Sequence, residues 1–309
     1  MKRFIIKILI YICIPLVTDI VGSIIIRPEG RFQRWKDLYN DNINSDLLIF
    51  GSSRALHHFN TKIIEDSLHI DAYNFGIAGG RIEISLFSLL EHLRICTKKP
   101  KYVTLEIDWL TIDNDKWIAN NWQLFPYMLF NRNMYTYTHD YKGYYNYYYY
   151  IPLARYLKYI KEIYENRFVE YTKNDNIQPK GYVLNKDHWG EIDFYTKMLS
   201  NVEIKIYPEQ IAYLNKFIDV CKQNNIQLNF VYAPEHYLAK KLVKDRDLVI
   251  TFLNQKSKQE HVPFADMSQP DFCNDTTYFS DMRHLNIYGA DRFTSEYYIP
   301  WIKELYGLQ

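Results

Sequence analysis

The chain has 309 residues, and hydrophobic residues make up 48% of them, which is enough for a buried core in one large domain or two smaller ones. Lys and Arg total 37 against 36 for Asp and Glu, so the chain lacks the positive charge that is typical of nucleic-acid-binding proteins. Four widely spaced cysteines predict neither a zinc site nor a disulfide framework. These values indicate a globular protein, and nucleic acid is not expected as a partner.

The N-terminus has the pattern of a membrane span. Lys2 and Arg3 precede an apolar stretch from Phe4 to Ile26 that is long enough to cross a bilayer, and the basic start favours a cytoplasmic N-terminus. We therefore predict residues 1–27 to be a membrane anchor, with the rest of the chain on the periplasmic or extracellular face. A cleaved signal segment and the buried helix of a soluble protein are the alternatives, and Asp19 is the residue that fits a span least well.

Short strands and helices alternate after a polar connector at residues 28–45. Apolar runs predict strands at Asp46 to Phe50, Ile70 to Gly76 and Lys101 to Asp108, and helical apolar spacing separates them. Two more strands, at 227–234 and 262–267, alternate with helices, and a final helix begins near Asn286. This order predicts one α/β domain over residues 46–309, with a parallel five-stranded sheet between two layers of helices, as in flavodoxin-like folds.

The alternation stops between Trp109 and Ile206, where aromatic residues are dense. The chain has 29 tyrosines, and many lie between Tyr141 and Tyr164. We predict that residues 109–206 are an insertion or cap on the sheet. Its tyrosines fit an amphipathic packing surface, or alternatively a platform that stacks on sugar rings or rests at a membrane interface.

Chemically active residue types collect at the predicted carboxyl ends of the strands, where open parallel sheets bind ligands. Ser52 and Ser53 follow the first strand, Gly79 follows the second, and Asp108 ends the third. A turn from Asp281 to His284 follows the fifth. A serine nucleophile needs an imidazole base that is oriented by a carboxylate, and these segments together provide all three groups.

Three of these segments resemble sequence blocks of the SGNH, or GDSL-like, hydrolases. They are "LLIFGSSR", "NFGIAGG" and "SDMRHLNIYGADRF". The resemblance covers residues 46–108 and 207–305, and it leaves out the N-terminal segment and the tyrosine-rich insertion. An anchor followed by such a domain is also similar to exported members that handle acyl groups on cell-surface polymers. Examples are the D-alanyl transfer proteins of teichoic acid and the alginate O-acetylation proteins.

The resemblance implies a role for each matching residue. It implies that Ser53 is the nucleophile, that His284 is its base, that Asp281 orients the base, and that the N–H groups of Ser53 and Gly79 bind the oxyanion. The residues alone also favour Ser53, because it would stand at a strand-to-helix turn where developing negative charge is stabilised. Ser52 fits better as a residue that faces inward or caps the helix.

The third family block is where the chain departs from the pattern. The family places an asparagine donor there, and this chain has no asparagine at the aligned position, so Asn74 and Asn114 are the nearby candidates. Arg54 and Asp108 are weaker candidates for substrate contact. The alternatives are a structural salt bridge for Arg54, and orientation of a site residue or a cap at the strand end for Asp108.

The function implied by the resemblance is that of a serine esterase or O-acyltransferase. Its substrate would be a small acyl ester, foremost an acetyl group, on a cell-surface or exported glycan, and no metal or organic cofactor is needed. The implied partners are the acylated glycan, the membrane through the N-terminal segment, and an acyl-transfer protein in that membrane. Two alternatives stay open: a catalytically weak protein for glycan binding or assembly, and a lipase-like esterase that acts on membrane lipids.

Overall fold

A computed structural model describes residues 1–27, 30–165, 180–268 and 271–308. Residues 28–29 of the predicted connector and residues 166–179 of the predicted insertion lie outside these ranges. The chain divides into two units by its internal contacts. The first unit comprises Met1–Lys36 and Asn120–Asp175, and the second comprises Asp37–Ala119 and Asn176–Gln309.

The helices of the described ranges follow the apolar spacing of the sequence. In chain order they are α1 (Lys2–Ile25), α2 (Arg34–Tyr39), α3 (Ser53–His58), α4 (Thr61–Leu68), α5 (Ile82–Ile95), α6 (Arg132–Thr138), α7 (Ile160–Tyr164), α8 (Ile192–Ser200), α9 (Pro208–Gln223), α10 (Tyr237–Leu242), α11 (Arg246–Glu260), α12 (Ile287–Phe293) and α13 (Ile299–Tyr306). Asn286 caps the N-terminus of α12, near the predicted start of this helix, because its side chain accepts hydrogen bonds from the amides of Tyr288 and Gly289.

The described part of the second unit contains a parallel five-stranded sheet. Its strands are β1 (Leu47–Phe50), β2 (Ala72–Asn74), β3 (Tyr102–Glu106), β4 (Gln227–Tyr232) and β5 (Phe264–Asp266). The strand order is β2-β1-β3-β4-β5, and each neighbouring pair is parallel. This is the order of flavodoxin-like doubly wound sheets, so the predicted α/β class and the five strands are confirmed.

Alternate residues of a strand point to opposite sides of the sheet, and packed side chains cover both sides here. On one face Phe50 contacts Phe217 of α9, with 5.7 Å between ring centroids. On the other face Phe59 packs edge-on against Tyr298, with 4.9 Å between centroids, and the hydroxyl of Tyr298 lies 2.6 Å from that of Thr104 on β3. The sheet therefore carries a core on each side and leaves its carboxyl edge available for a site.

The first unit has an aromatic core built around Phe125. The ring centroid of Phe125 lies 5.5 Å from that of Tyr148 and 5.1 Å from that of Tyr159. Tyr149 is fully buried, and its hydroxyl lies 2.6 Å from that of Thr138. Other tyrosines of the same segment are exposed, namely Tyr145, Tyr147 and Tyr150. The tyrosine-rich segment therefore has one packed face and one exposed face.

Helix α1 matches the predicted N-terminal span. It is long and apolar enough to cross a membrane by its length and composition, with a mean hydropathy of 2.3 over its most apolar window, of which 6% is buried. Asp19 and Ser23 are its buried residues. A buried helix of a soluble protein would show the opposite pattern, with apolar side chains covered.

Gly76 provides a test of the close packing between the loop after β2 and helix α3. A Cβ atom at Gly76 would lie 2.3 Å from the amide nitrogen of Leu56, whereas a Cβ at Gly190 would make an ordinary contact at 3.6 Å. We expect Gly76→Ala to lower the free energy of unfolding by about 2 kcal/mol, because backbone has to move to admit the methyl group. Urea denaturation measures this effect, with Gly190→Ala as the control. Equal midpoints for the two variants would contradict the predicted clash.

Candidate active site

The turn after β1 sets the position of Ser53. Gly51 adopts a φ of 144°, and a Cβ there would lie 2.8 Å from the carbonyl oxygen of Glu106, so the close approach of β3 requires glycine. Ser52 is fully buried and caps α3, since its hydroxyl accepts a hydrogen bond from the amide of Arg54 at 3.4 Å. Ser53 is the first residue of α3 and is partly exposed.

Backbone pairing on both sides of the turn from Asp281 to His284 holds its two ends together. Phe279 and Leu285 form an antiparallel bridge on either side of it. Within the turn, Oδ1 of Asp281 accepts hydrogen bonds from the amides of Arg283 at 2.7 Å and of His284 at 3.0 Å. The spacing of three residues therefore places the carboxylate and the imidazole on the same edge of the turn.

Ser53, His284 and Asp281 form a continuous chain of hydrogen bonds. Oγ of Ser53 lies 2.7 Å from Nε2 of His284, and Nδ1 of His284 lies 2.8 Å from Oδ2 of Asp281. Since a carboxylate only accepts, we assign the proton of the neutral ring to Nδ1, which leaves the lone pair of Nε2 facing Ser53. The side chains of His284 and Asp281 are 14% and 12% exposed, so the site reaches the surface.

Asp281 is ionised at neutral pH in this setting. Burial opposes its ionisation, but the charge and the hydrogen bond of His284 and the two backbone amides outweigh burial and lower the pKa of Asp281 to about 2. An ionised Asp281 holds the ring of His284 in one orientation and stabilises its protonated form.

His58 supports the same turn from α3. Its Nε2 accepts a hydrogen bond from the amide of Leu285, the residue after His284, at 3.0 Å. Burial, together with the charge of Arg54, lowers the pKa of His58 well below its usual value. His58 is thus a neutral acceptor that positions the backbone next to the base.

Two aromatic residues near the turn come from the segment predicted to be an insertion. The ring centroid of Tyr195, on α8, lies 6.3 Å from that of His284, and burial and the charge of Asp281 raise the pKa of Tyr195. Trp189 packs on His236, whose amide donates to the carbonyl of Met282. Apart from the general richness of this segment in aromatic residues, no sequence pattern predicts these contacts.

Arg54 and Asp108, the weaker candidates for substrate contact, are fully buried and belong to a charge network under the site. Oδ2 of Asp108 lies 2.7 Å from Nη2 of Arg283 and 3.4 Å from Nη1 of Arg54, and Oδ1 accepts from the amide of Thr111. Arg54 also donates to the carbonyl of Ala233. Their side chains are thus used within the protein, which matches the structural alternatives for both residues.

Glu106 is the least well paired carboxyl group of this network. Neither of its side-chain oxygens makes a well-formed hydrogen bond within the described ranges; the amide of Ser52 interacts with the carboxyl group, and Nε of Arg54 lies 3.5 Å away. Burial and the nearby charge of Asp108 raise the pKa of Glu106 to about 8, although Arg54 and Arg283 act in the opposite direction. Arg283 and Arg54 hold the pKa of Asp108 below its usual value despite burial. One proton on Glu106 therefore relieves the repulsion between the two carboxyl groups.

The loop after β2 fixes the peptide that carries the N–H of Gly79. The carbonyl of Ala78, in the same planar peptide, accepts from the amide of Ala119 at 2.9 Å, so the N–H of Gly79 points away from Ala119. Gly79 has a φ of 79°, and a Cβ would lie 2.7 Å from the ring of Trp117. This position therefore requires glycine.

Neither asparagine candidate for the third-block donor is supported by these contacts. Asn74 is fully buried, and its amide nitrogen donates to the carbonyls of Ala55 and Phe59 at 2.7 and 3.1 Å. Asn114 is exposed in the turn after β3. Asn74 is therefore a structural residue that ties β2 to α3.

A cavity of about 340 Å³ lies elsewhere in the second unit. It is lined by Cys221 of α9, by Gln227 at the start of β4, and by Val262 before β5. These residues mark the amino ends of the strands, opposite to the edge that carries Ser53, so the cavity is separate from the candidate site.

Comparison with known proteins gives distant similarities. A protein-family model matches residues 196–306, which is less than half of the chain, and its description names no activity. No curated protein sequence matches the chain significantly. A presumed acylhydrolase of Bacteroides fragilis is similar in structure, with 11% identity and a TM-score of 0.43 over 89% of this chain and 98% of that one. A presumed lipolytic protein of the G-D-S-L family from Desulfitobacterium hafniense has 10% identity and a TM-score of 0.38 over 82% of this chain and 96% of that one. At these identities and TM-scores, the two solved structures do not indicate the function of this chain.

The proton on Glu106 predicts a specific pH dependence of stability. The pKa of Glu106 is about 8 in the folded protein and 4.5 in an unperturbed glutamate, so the folded state binds this proton more tightly. The resulting stability is fully present below pH 4.5 and is lost as the pH rises to about 8. We expect Glu106→Gln to flatten this decline, as measured by urea denaturation across the pH range. Glu209→Gln, which removes a half-exposed carboxylate, is the control, and an unchanged slope in Glu106→Gln would refute the assignment.

Proposed function

We propose that this protein is a serine ester hydrolase or O-acyltransferase. The observation that carries the proposal is the chain of hydrogen bonds from Ser53 Oγ through His284 to Asp281, with distances of 2.7 and 2.8 Å. A nucleophile, a base with its lone pair toward the nucleophile, and an orienting carboxylate are the groups that acyl transfer through a covalent intermediate requires.

In the proposed reaction, Ser53 Oγ attacks the carbonyl carbon of an ester while His284 Nε2 takes the proton of the hydroxyl. The tetrahedral intermediate then expels the alcohol, which receives that proton from His284, and the acyl group stays on Ser53. A water molecule or a sugar hydroxyl next attacks the acyl-enzyme while His284 accepts its proton. The second tetrahedral intermediate then breaks its bond to Ser53 Oγ, which takes that proton back from His284. Water gives an acid as product, and a sugar hydroxyl gives a new ester. Asp281 keeps its charge throughout and stabilises the protonated ring.

We assign the N–H groups of Ser53 and Gly79 to the oxyanion. The fixed orientation of the peptide between Ala78 and Gly79 supports this role, because donors that need no reorganisation stabilise developing charge best. Loss of one oxyanion donor costs on the order of 100-fold in rate, so a site without the family's asparagine is expected to be slower than one that has it.

The proposed substrate is a small acyl ester, foremost an acetyl ester, on a cell-surface or exported glycan. The resemblance of the sequence blocks to exported acyl-handling proteins supports this substrate class, together with the apolar helix α1 as an anchor. The partly exposed ring of Tyr195 beside His284 also suits contact with a sugar, since aromatic faces pack on apolar sugar surfaces. The implied location of the active site is outside the cytoplasm.

Replacement of Ser53 tests the proposed nucleophile. We expect Ser53→Ala to lose hydrolysis of an aryl acetate and covalent labelling by a fluorophosphonate, because the variant lacks the attacking oxygen. Ser52→Ala is a matched control, since this buried hydroxyl caps α3, and it is expected to keep the labelling at some cost in stability. Labelling that is absent from the wild type, or equal in Ser53→Ala, would disprove the catalytic proposal. A strong preference for long-chain over acetyl esters would favour membrane lipids as the substrate.

Replacement of Asp281 tests the orienting role separately from folding. Asp281→Asn keeps the size of the side chain but favours the wrong tautomer of His284, and we expect kcat to fall on the order of 10⁴-fold. Steady-state hydrolysis of the aryl acetate measures this loss, and circular dichroism checks the fold. A folded variant with nearly full kcat would show that His284 does not depend on this carboxylate.

A further inference from the structure

Helix α1 carries a buried ion pair at a position where a simple membrane span would be apolar. Asp19 receives two hydrogen bonds from the guanidinium of Arg155, at 2.8 and 2.6 Å. One turn further on, the hydroxyl of Ser23 lies 2.6 Å from that of Tyr156. Arg155 is fully buried and also donates to the carbonyl of Phe125. Asp19 and Ser23 of α1 are therefore bound to the tyrosine-rich segment of the first unit.

This ion pair determines how deep the bound segment lies if α1 spans a bilayer. A helix of 24 residues is about 36 Å long, and the hydrocarbon core of a bilayer is about 30 Å thick. Asp19 is six residues from the last residue of the helix, Ile25, or about 9 Å along its axis. The guanidinium of Arg155 must therefore reach the boundary between the headgroups and the acyl chains. An ionisable residue inside a span is typically paired with a protein partner in this way.

The residues around Arg155 have the surface that this location requires. Ile151, Leu157 and Ile160 are 53%, 78% and 68% exposed, which is unusual for large aliphatic residues grouped within ten positions. Lys158 and Lys161 alternate with them and are exposed as well. Aliphatic side chains that enter the acyl region and lysines that reach the phosphates are the pattern of interfacial membrane segments.

We propose that residues 150–164, the docking segment, lie on the bilayer in the leaflet that receives the C-terminal end of α1, and contact anionic phospholipids. The Asp19–Arg155 pair attaches this segment to α1 and sets its depth. The first unit then holds the membrane through a span and an interfacial segment, not through the span alone. This contact is independent of the ester chemistry proposed above. The exposed face of the tyrosine-rich segment would then bind lipid.

The same pair argues that α1 stays in the mature protein. Removal of residues 1–27 as a signal segment would delete Asp19 and Ser23, and with Asp19 the carboxylate that neutralises Arg155. A buried charge that loses its partner is strongly destabilising. An uncleaved α1 avoids this, so the anchor and the docking segment are expected to occur together.

Lipid contact is tested on the full chain in vesicles of phosphatidylcholine and phosphatidylglycerol. In a Cys13→Ser background, single variants Leu157→Cys and Ile160→Cys carry an environment-sensitive fluorophore, and phospholipids with a doxyl group near the headgroup serve as quenchers. The matched control is Leu248→Cys, an exposed leucine of the second unit. The three remaining native cysteines are buried, and the background without a new cysteine measures their labelling.

We expect quenching at positions 157 and 160 to be several-fold stronger than at position 248, and to weaken when phosphatidylglycerol is omitted. Equal quenching at all three positions would overturn the proposal. A fluorophore at 157 that is shielded from water but not quenched would also overturn it, because a protein surface such as a second copy of the chain would then cover the segment.

A second experiment tests the ion pair itself. We expect Arg155→Met to keep α1 in the membrane under alkaline carbonate extraction, while quenching at position 157 falls to the level of the control position. Arg132→Met, which removes an exposed arginine of the same unit, should leave the quenching unchanged. If quenching in Arg155→Met equals that of the parent protein, the pair does not set the depth of the segment, and that part of the proposal fails. If Arg155→Met does not fold, the quenching comparison in the parent chain still tests the contact with lipid, because it needs no change at the pair.

Discussion

The candidate site depends on one buried carboxylate, that of Asp108, which lies two residues after the third strand. It contacts Arg54, the neighbour of the proposed nucleophile, and Arg283, which lies inside the turn that carries the proposed base. Three segments that are distant in the sequence thus meet on one oxygen atom. A buried pair that loses one partner typically costs about 3–5 kcal/mol, so this contact helps to hold helix α3 and the turn of His284 in place.

The sequence predicted those features whose cause is local. Apolar runs placed all five strands, and the pairing of Asp281 with His284 follows from a turn of four residues. It did not predict that Arg54 is buried, because burial of a charged residue depends on partners from other strands. It also gave no reason to expect Tyr195 near His284, since the aromatic segment has no clear periodicity. The boundaries of the insertion remain a prediction.

Asp19 shows how a residue that breaks a sequence pattern can carry the most structural information. Within an apolar stretch it weakens the interpretation as a membrane span, because an isolated carboxylate in hydrocarbon is costly. Its partner, Arg155, lies 136 positions away, and nothing in the local sequence links the two. With the pair formed, the same aspartate is compatible with a span, because it attaches the segment for which we propose contact with the membrane surface. Both Asp19 and Asp108 therefore connect distant segments through arginine.

The chain has no asparagine where the SGNH hydrolases that it resembles place an oxyanion donor, so catalytic power in the proposed reaction would depend on the loop after the second strand. Asn74 cannot replace that donor where it stands, because its amide already bonds two carbonyls of the chain. The N–H of Gly79 is oriented differently. The carbonyl of the same peptide, that of Ala78, accepts from the amide of Ala119, so the N–H of Gly79 points away from Ala119. The conformation at this residue and the ring of Trp117 both exclude a side chain there. A donor that is fixed before the substrate arrives stabilises charge without reorganisation, so in the proposed reaction this peptide and the N–H of Ser53 together take over the stabilisation of the oxyanion.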